Sequence, residues 1–355
     1  MSASLSRVRE TVRHHWPVQM ALLFALLALT VLISAGMGFI RIPAAEVARI
    51  VAAGIAGQES WLTGLDPLHP TVVLDVRLPR ILTAAAVGGG LALAGCAFQG
   101  ILLNPLADPY TLGVSAGAAF GAAVALLLNI QALGGYSIPL FAFAGALATL
   151  LAVIYLSTGA GGVSSSNLIL SGIIVAAILS AGISFLKYLA EEQVAAIVFW
   201  LMGSFGSRTW TDVGAAFGAV AGGLVIFLFF SRDLNLLALG ERSAASLGVD
   251  TRRVTLAVLV TASLVTAVCV SVSGIIGFVG LLVPHLTRTL VGPDNRRLLP
   301  AAFLAGAALL LWADTVTRAV LPAEVPVGVL TALIGGPFFC YVFRRRQMGR
   351  IAMGR

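Results

Sequence analysis

Few side chains in this 355-residue chain are equipped for chemistry, and their spacing excludes most of it. Its one lysine, Lys187, is followed by Tyr188, so a GxxxxGK[ST] phosphate loop is impossible and no nucleotide is hydrolysed by that route. Of the four histidines, only His285 falls in an apolar segment. It stands beside Pro284 with no carboxylate or thiol at ligand spacing, which suits a hydrogen bond at a helix kink better than a metal. Cys96, Cys269 and Cys340 are widely spaced in apolar runs and make neither a disulfide framework nor a zinc site. Asp314 is the one carboxylate placed where a proton-coupled carrier would need it, and Arg318, four residues on, can pair with it.

The densest polar stretch, Ser231 to Arg253, reads SRDLNLLALGERSAASLGVDTRR. It cannot cross a bilayer, because each of its seven charges would cost ~2.5–3.5 kcal/mol at the centre. Leu234, Leu236, Leu237 and Leu239 give one short apolar piece, Gly240 permits a break, and Glu241 to Leu247 offers a second short helix ending at Gly248. Two such helices either cap a solvated loop or dock in a groove of another protein. An apolar edge on each favours a groove without deciding it.

The elements around these residues belong to a membrane. Fifty-nine per cent of the residues are hydrophobic and 10% charged, and the mean hydropathy is +1.00. These values define an all-α polytopic membrane protein with room for about ten transmembrane helices of ~20 residues. Arg7, Arg9 and Arg13 precede the apolar run Pro17 to Met37, which has small residues at 34–36 like a secretory signal. Its length and the membranous remainder favour a retained first span. Phe39 to Val76 forms the longest outside connection, and RLPR at 77–80 opens a glycine-rich second span to Leu103. NPLADP at 104–109 ends that helix and starts the next, with Asp108 as the cap. Spans follow at about 110–128, 138–157 and 168–187, then a half-helix from Val194 to Met202, and a sixth span at about 213–230. After the polar stretch, spans seven and eight divide at 271–274, the ninth runs from about Leu298 to Val320, and a tight turn at 322–326 leads to the tenth, Val327 to Phe343.

Ten crossings put both termini on one side. Fifteen Lys and Arg residues then lie with the termini and the polar stretch, against seven opposite: Arg41, Arg49, Arg77, Arg80, Lys187, Arg208 and Arg318. By the positive-inside rule the side with fifteen is cytoplasmic. Gly113, Gly117 and Gly121 form a tandem GxxxG, a pattern for close helix packing.

Six motifs carry a resemblance. RLPR at 77–80, AGCAFQGILLNPLADPYTLGVSAGA at 94–118, WLMGSFG at 200–206, LALGERSAASLG at 237–248, GFVGLLVPHLTR at 277–288 and ADTVTR at 313–318 stand in order with the expected gaps. Together they closely resemble the FecCD-type membrane permeases of ATP-binding-cassette (ABC) importers for iron chelates, haem and cobalamin.

The resemblance implies one transmembrane domain over 1–355 with the type II ABC importer fold. It has a cytoplasmic tail at 1–16, coupling helices at 231–253 and a second tail at 344–355. It implies a homodimer with the translocation path between the copies, two ABC ATPase subunits that hold ATP and magnesium, and a periplasmic or lipid-anchored binding protein. The chain itself would bind no cofactor, catalyse nothing and contact no nucleic acid, and would lie in the bacterial cytoplasmic membrane with both termini inside. By the same resemblance Gly240, Glu241, Arg242, Ala244, Ala245, Leu247 and Gly248 dock in the ATPase groove. Asn104, Leu106, Ser165 and Ser166 form the cytoplasmic gate. Arg77, Arg80 and Arg318 receive glutamates of the binding protein. Iron-siderophore is the first expectation for cargo, with haem or cobalamin next. A carrier working without ATP is the competing class; it needs an ion-coupling site and leaves the coupling-like helices unexplained.

Overall fold

The structure, a computed structural model, describes residues 16–353 apart from 131, 160, 161, 164, 322 and 323. The N-terminal tail with Arg7, Arg9 and Arg13, part of the 322–326 turn and the last two residues lie outside the described residues. Fourteen helices organise the rest. They are α1 Trp16–Gly36, α2 Ala44–Ala56, α3 Leu68–Ile101, α4 Val114–Leu127, α5 Ser137–Ser157, α6 Ser165–Leu189, α7 Val194–Leu201 and α8 Trp210–Phe229. Then come α9 Ser231–Leu237, α10 Glu241–Ser246, α11 Thr251–Ser273, α12 Val279–Val291, α13 Asn295–Ala319 and α14 Val327–Met353. A two-residue antiparallel pair, β1 Thr158–Gly159 with β2 Gly162–Val163, turns the chain between α5 and α6. It is a minor departure from the all-α expectation.

Among the described residues seven helices are long and apolar enough to cross a membrane, and three shorter apolar ones bring the apolar segments to the ten expected. They are not equivalent. The apolar stretch of α3 is 94% buried inside the protein, against 17% for α1 and 22% for α6. α3 is therefore the axis of the bundle, and α1 and α6 leave most of their apolar surface to lipid or another chain. Its closest neighbour is α13. A Cβ on Gly88 would collide with the carbonyl oxygen of Gly306, and one on Gly306 with that of Gly88, so the two backbones touch. Lipid tails are as apolar as leucine, so this close van der Waals packing holds helices together where burial from water cannot. The tandem glycines work the same way: Gly117 and Gly121 of α4 lie against the backbone of α5 at Gly145 and Phe141.

Several local expectations need correction. The connection after α1 is largely helical, through α2 and the first turns of α3; α2 buries Val47, Ile50 and Ala53 on one face. Helix α3 starts at Leu68 and passes through a π-helical stretch, Val72–Arg77, before RLPR. Asp108 does not cap the third span. Its carboxylate accepts from the Tyr110 N–H at 2.8 Å in a local turn, and α4 begins only at Val114, behind Gly113. At the chain end α14 runs through Arg344 to Met353 with no break after Phe343.

The third and eighth segments are interrupted helices. Pro109 packs on Gly280 beside the Leu91 carbonyl. Leu91 lies ten residues before the end of α3, roughly 15 Å back along its axis. Residues 102–113 thus double back into the bundle. There the Tyr110 hydroxyl donates to the Ile276 carbonyl at 2.8 Å and accepts from the Ile276 N–H at 3.2 Å. Irregular backbone at such depth survives when enclosed by protein with its polar groups satisfied, and Tyr110 supplies both bonds.

Candidate functional site: coupling surface, gate and arginine cluster

The polar stretch folds as the spacing predicts. α9 and α10 are joined by a turn in which Gly240 takes φ 99°, and Gly248 at φ 88° ends the second helix. Asp250 then caps α11, accepting from the Arg253 N–H at 3.1 Å. The leucines divide by face. Leu234 and Leu237 are buried against the bundle, whereas Leu239 and Leu247 are 63% and 58% exposed. Glu241, Arg242, Ala245 and Gly248 are exposed beside them. Ala244, expected on the docking face, is fully buried and holds α10 against its own chain. The outward surface therefore has two bare leucines around an acid and a base. Each leucine covered by a partner would contribute roughly 1.5–3 kcal/mol.

The four residues expected at the gate come from segments about 60 residues apart that meet at this same end of the bundle. The Ser165 hydroxyl, at the first turn of α6, points to the Ile101 carbonyl at 3.4 Å. Asn104 accepts from the Leu106 N–H at 2.9 Å and closes a turn just after α3. Leu106 is 41% exposed, and Ser166 is exposed next to Ser165. Asn104 and Leu106 lie in the direct continuation of α3, which ends at Ile101.

Arg77, Arg80 and Arg318 are gathered at the opposite end, but turned inward. Arg77 is 7% exposed; it donates to the Ala35 carbonyl at 2.7 Å and to that of Ile40. Arg318 donates to the Met37 carbonyl at 2.6 Å and the Ser34 hydroxyl at 2.7 Å. Asp314 is fully buried. Its main partner is Arg80 of α3, which grips it through Nε at 3.0 Å and a second nitrogen at 2.8 Å, whereas Arg318 stands 3.5 Å away. Sequence spacing gave the weaker i, i+4 partner and missed the stronger one. Arg80 also binds Glu324 at 2.6 Å, whose side chain is 55% exposed. Glu324 is thus the member of the cluster most open to solvent. Sequence reasoning passed over it because it lies in a turn with no periodicity. Asp314 thus has two guanidinium partners inside the bundle.

The chain is similar to known proteins over nearly its whole length. The model of the FecCD transport family matches residues 26–345. The uncharacterized ABC transporter permease protein YvrB of Bacillus subtilis (strain 168) is 40% identical over 331 residues, 92% of this chain and 93% of the relative. The cobalamin import system permease protein BtuC of Halobacterium salinarum is 44% identical over 80% of this chain and 76% of its own. The molybdate import system permease protein MolB of Haemophilus influenzae is 40% identical over 91% and 94%. A solved structure reported as a metal-chelate type ABC transporter in an inward-facing conformation superposes with a TM-score of 0.80 at 37% identity, covering 93% of this chain and 99% of that one. A multi-pass membrane protein with these relatives is a transport permease, and the chain belongs to the FecCD transport family of ABC importer permeases.

Proposed function

We propose that two copies of this chain form the translocation path of an importer, each copy seated on a separate ABC ATPase that holds ATP and magnesium. The chain itself binds no cofactor. The observation that carries this reading is the coupling surface: α9 and α10 are anchored by Leu234, Leu237 and Ala244 while Leu239 and Leu247 stay bare. A chain without a phosphate loop needs its energy from elsewhere, and this is the surface that offers a groove-binding edge. The fifteen-to-seven distribution of Lys and Arg supports a cytoplasmic position for it and for both termini, in the cell's cytoplasmic membrane.

Gly240, Glu241, Arg242, Ala245, Leu247 and Gly248 dock on the ATPase, with Leu239 added and Ala244 acting from inside. Asn104, Leu106, Ser165 and Ser166 line the gate, where short side chains from two copies close a pore without gripping cargo. A periplasmic or lipid-anchored binding protein docks at the arginine end and reaches the cluster through Arg80, by exchanging its own carboxylate for Glu324. A pair made there acts mainly in orienting the partner.

The cargo we propose is a metal chelate, with iron-siderophore as the first expectation. The 44% identity to a cobalamin permease favours a corrinoid as the second reading. The molybdate relative shows that the scaffold alone does not select the cargo. Pull-down of the ATPase from detergent extracts tests the class. Association that is lost on Leu247→Asp or Glu241→Lys supports the importer; transport by the purified chain without ATP supports an independent carrier. Binding of chelates to the cognate binding protein, iron-siderophore against cobalamin, settles the cargo.

A further inference from the structure

α9 is fastened to α13 by one amide. Asn235 Nδ2 donates to Asp294 Oδ1 at 2.7 Å, and Asn235 Oδ1 accepts from the Asn295 backbone N–H at 2.9 Å and from its Nδ2 at 2.8 Å. The Asp294 oxygen that receives Asn235 also accepts from the Arg296 N–H at 3.1 Å and caps α13. Asn235 is therefore built into the N-terminal cap of α13, 60 residues away. The apolar contacts of Leu234 and Leu237 are non-directional; three hydrogen bonds to one side chain fix the angle of α9 against α13.

What lies beyond this clasp is stiff. α13 meets α3 backbone to backbone at Gly88 and Gly306, and its far end is tied to α3 by the Arg80–Asp314 pair. α3 leads straight into Asn104 and Leu106 at the gate. We propose that Asn235 is the positioning residue that hands displacement of α9 and α10 to the α13–α3 pair, and so to the gate. This rests on the reading that an ATPase docks on α9 and α10. Asn235 binds neither ATPase nor cargo. It sets the angle at which the coupling element pulls.

The test breaks the clasp and then rebuilds it in the complex of full-length chain and ATPase. Asn235→Asp sets a carboxylate against Asp294. The pair Asn235→Asp with Asp294→Ser sets at 294 a hydroxyl that accepts from the Arg296 N–H and donates to the new carboxylate, while Asn295 keeps both its bonds to residue 235, so the cycle isolates the clasp. The probe is a Leu106→Cys thiol at the gate, in a Cys340→Ser background because Cys340 is the exposed native thiol. Its rate of modification by a charged maleimide is read before and after MgATP with vanadate. In the parent complex the rate should change about tenfold on trapping; in Asn235→Asp the ATPase should still co-purify and hydrolyse ATP while that change is lost; in the double variant it should return to within about twofold. A parent-like response in Asn235→Asp, or no recovery in the double variant, overturns the proposal. If Asn235→Asp fails to accumulate, Asn235→Ala, which brings no like charges together, is read the same way, and a parent-like response there is equally fatal. Failure of the parent chain to bring down the ATPase would instead remove the functional reading itself.

Discussion

The two ends of α13 are held by different physics. At the arginine end a fully buried carboxylate is gripped by Arg80 and approached by Arg318. At the coupling end a neutral amide clasps a capping aspartate beside water. Removing one partner of a buried ion pair leaves a charge that cannot be solvated, whereas a neutral, partly buried amide leaves no charge behind when its bonds are lost. The first end is a fixed anchor, and the second is a joint that can be remade.

Substitutions that break the contrast rank accordingly. Asp314→Ala leaves Arg80 with Glu324 as its remaining acid partner and takes Arg318's away, setting two guanidiniums side by side in the bundle, and should cost about 3–5 kcal/mol, read as loss of the folded chain from membranes or a sharp fall in thermal midpoint in detergent. Gly306→Val drives a branched side chain into the Gly88 carbonyl; with no side chain free to move aside, about 1–3 kcal/mol or more should be lost, measured the same way. Tyr110→Phe removes the bridge between residues 102–113 and Ile276 and should destabilise by about 1–3 kcal/mol, because the Ile276 N–H and carbonyl are left unpaired inside the bundle. Arg253→Ala sharpens the comparison from the other side. Its pair with Asp250 is largely exposed, so the thermal midpoint should stay within error.

Much of this was legible from residues alone, and the pattern of misses is physical. The ten apolar segments, the half-helix at Val194–Leu201 and the two helices about Gly240 announce themselves through local composition, and local composition suffices where one element decides its own state. Residues 39–76 read as a loop because charges and prolines mask an amphipathic helix, α2, whose apolar face is only three residues wide. The late start of α4 was invisible because residues 102–113 are stabilised by Tyr110 on Ile276, 166 positions away. In the polar stretch the two short helices could be read, but the inward direction of Ala244 could not. Arg80 with Asp314 and Asn235 with Asp294 join distant helices, and such pairs leave no mark on the periodicity of either strand of sequence.

A thiol introduced at Ser246, exposed on the coupling element, tests the central claim most directly when carried in the Cys340→Ser background. In intact cells Ser246→Cys should resist a membrane-impermeant maleimide. In inverted vesicles stripped of ATPase it should label fully, and added ATPase should protect it again. Labelling from outside intact cells would put α9 and α10 on the wrong side of the membrane for any ATPase and would contradict the assignment.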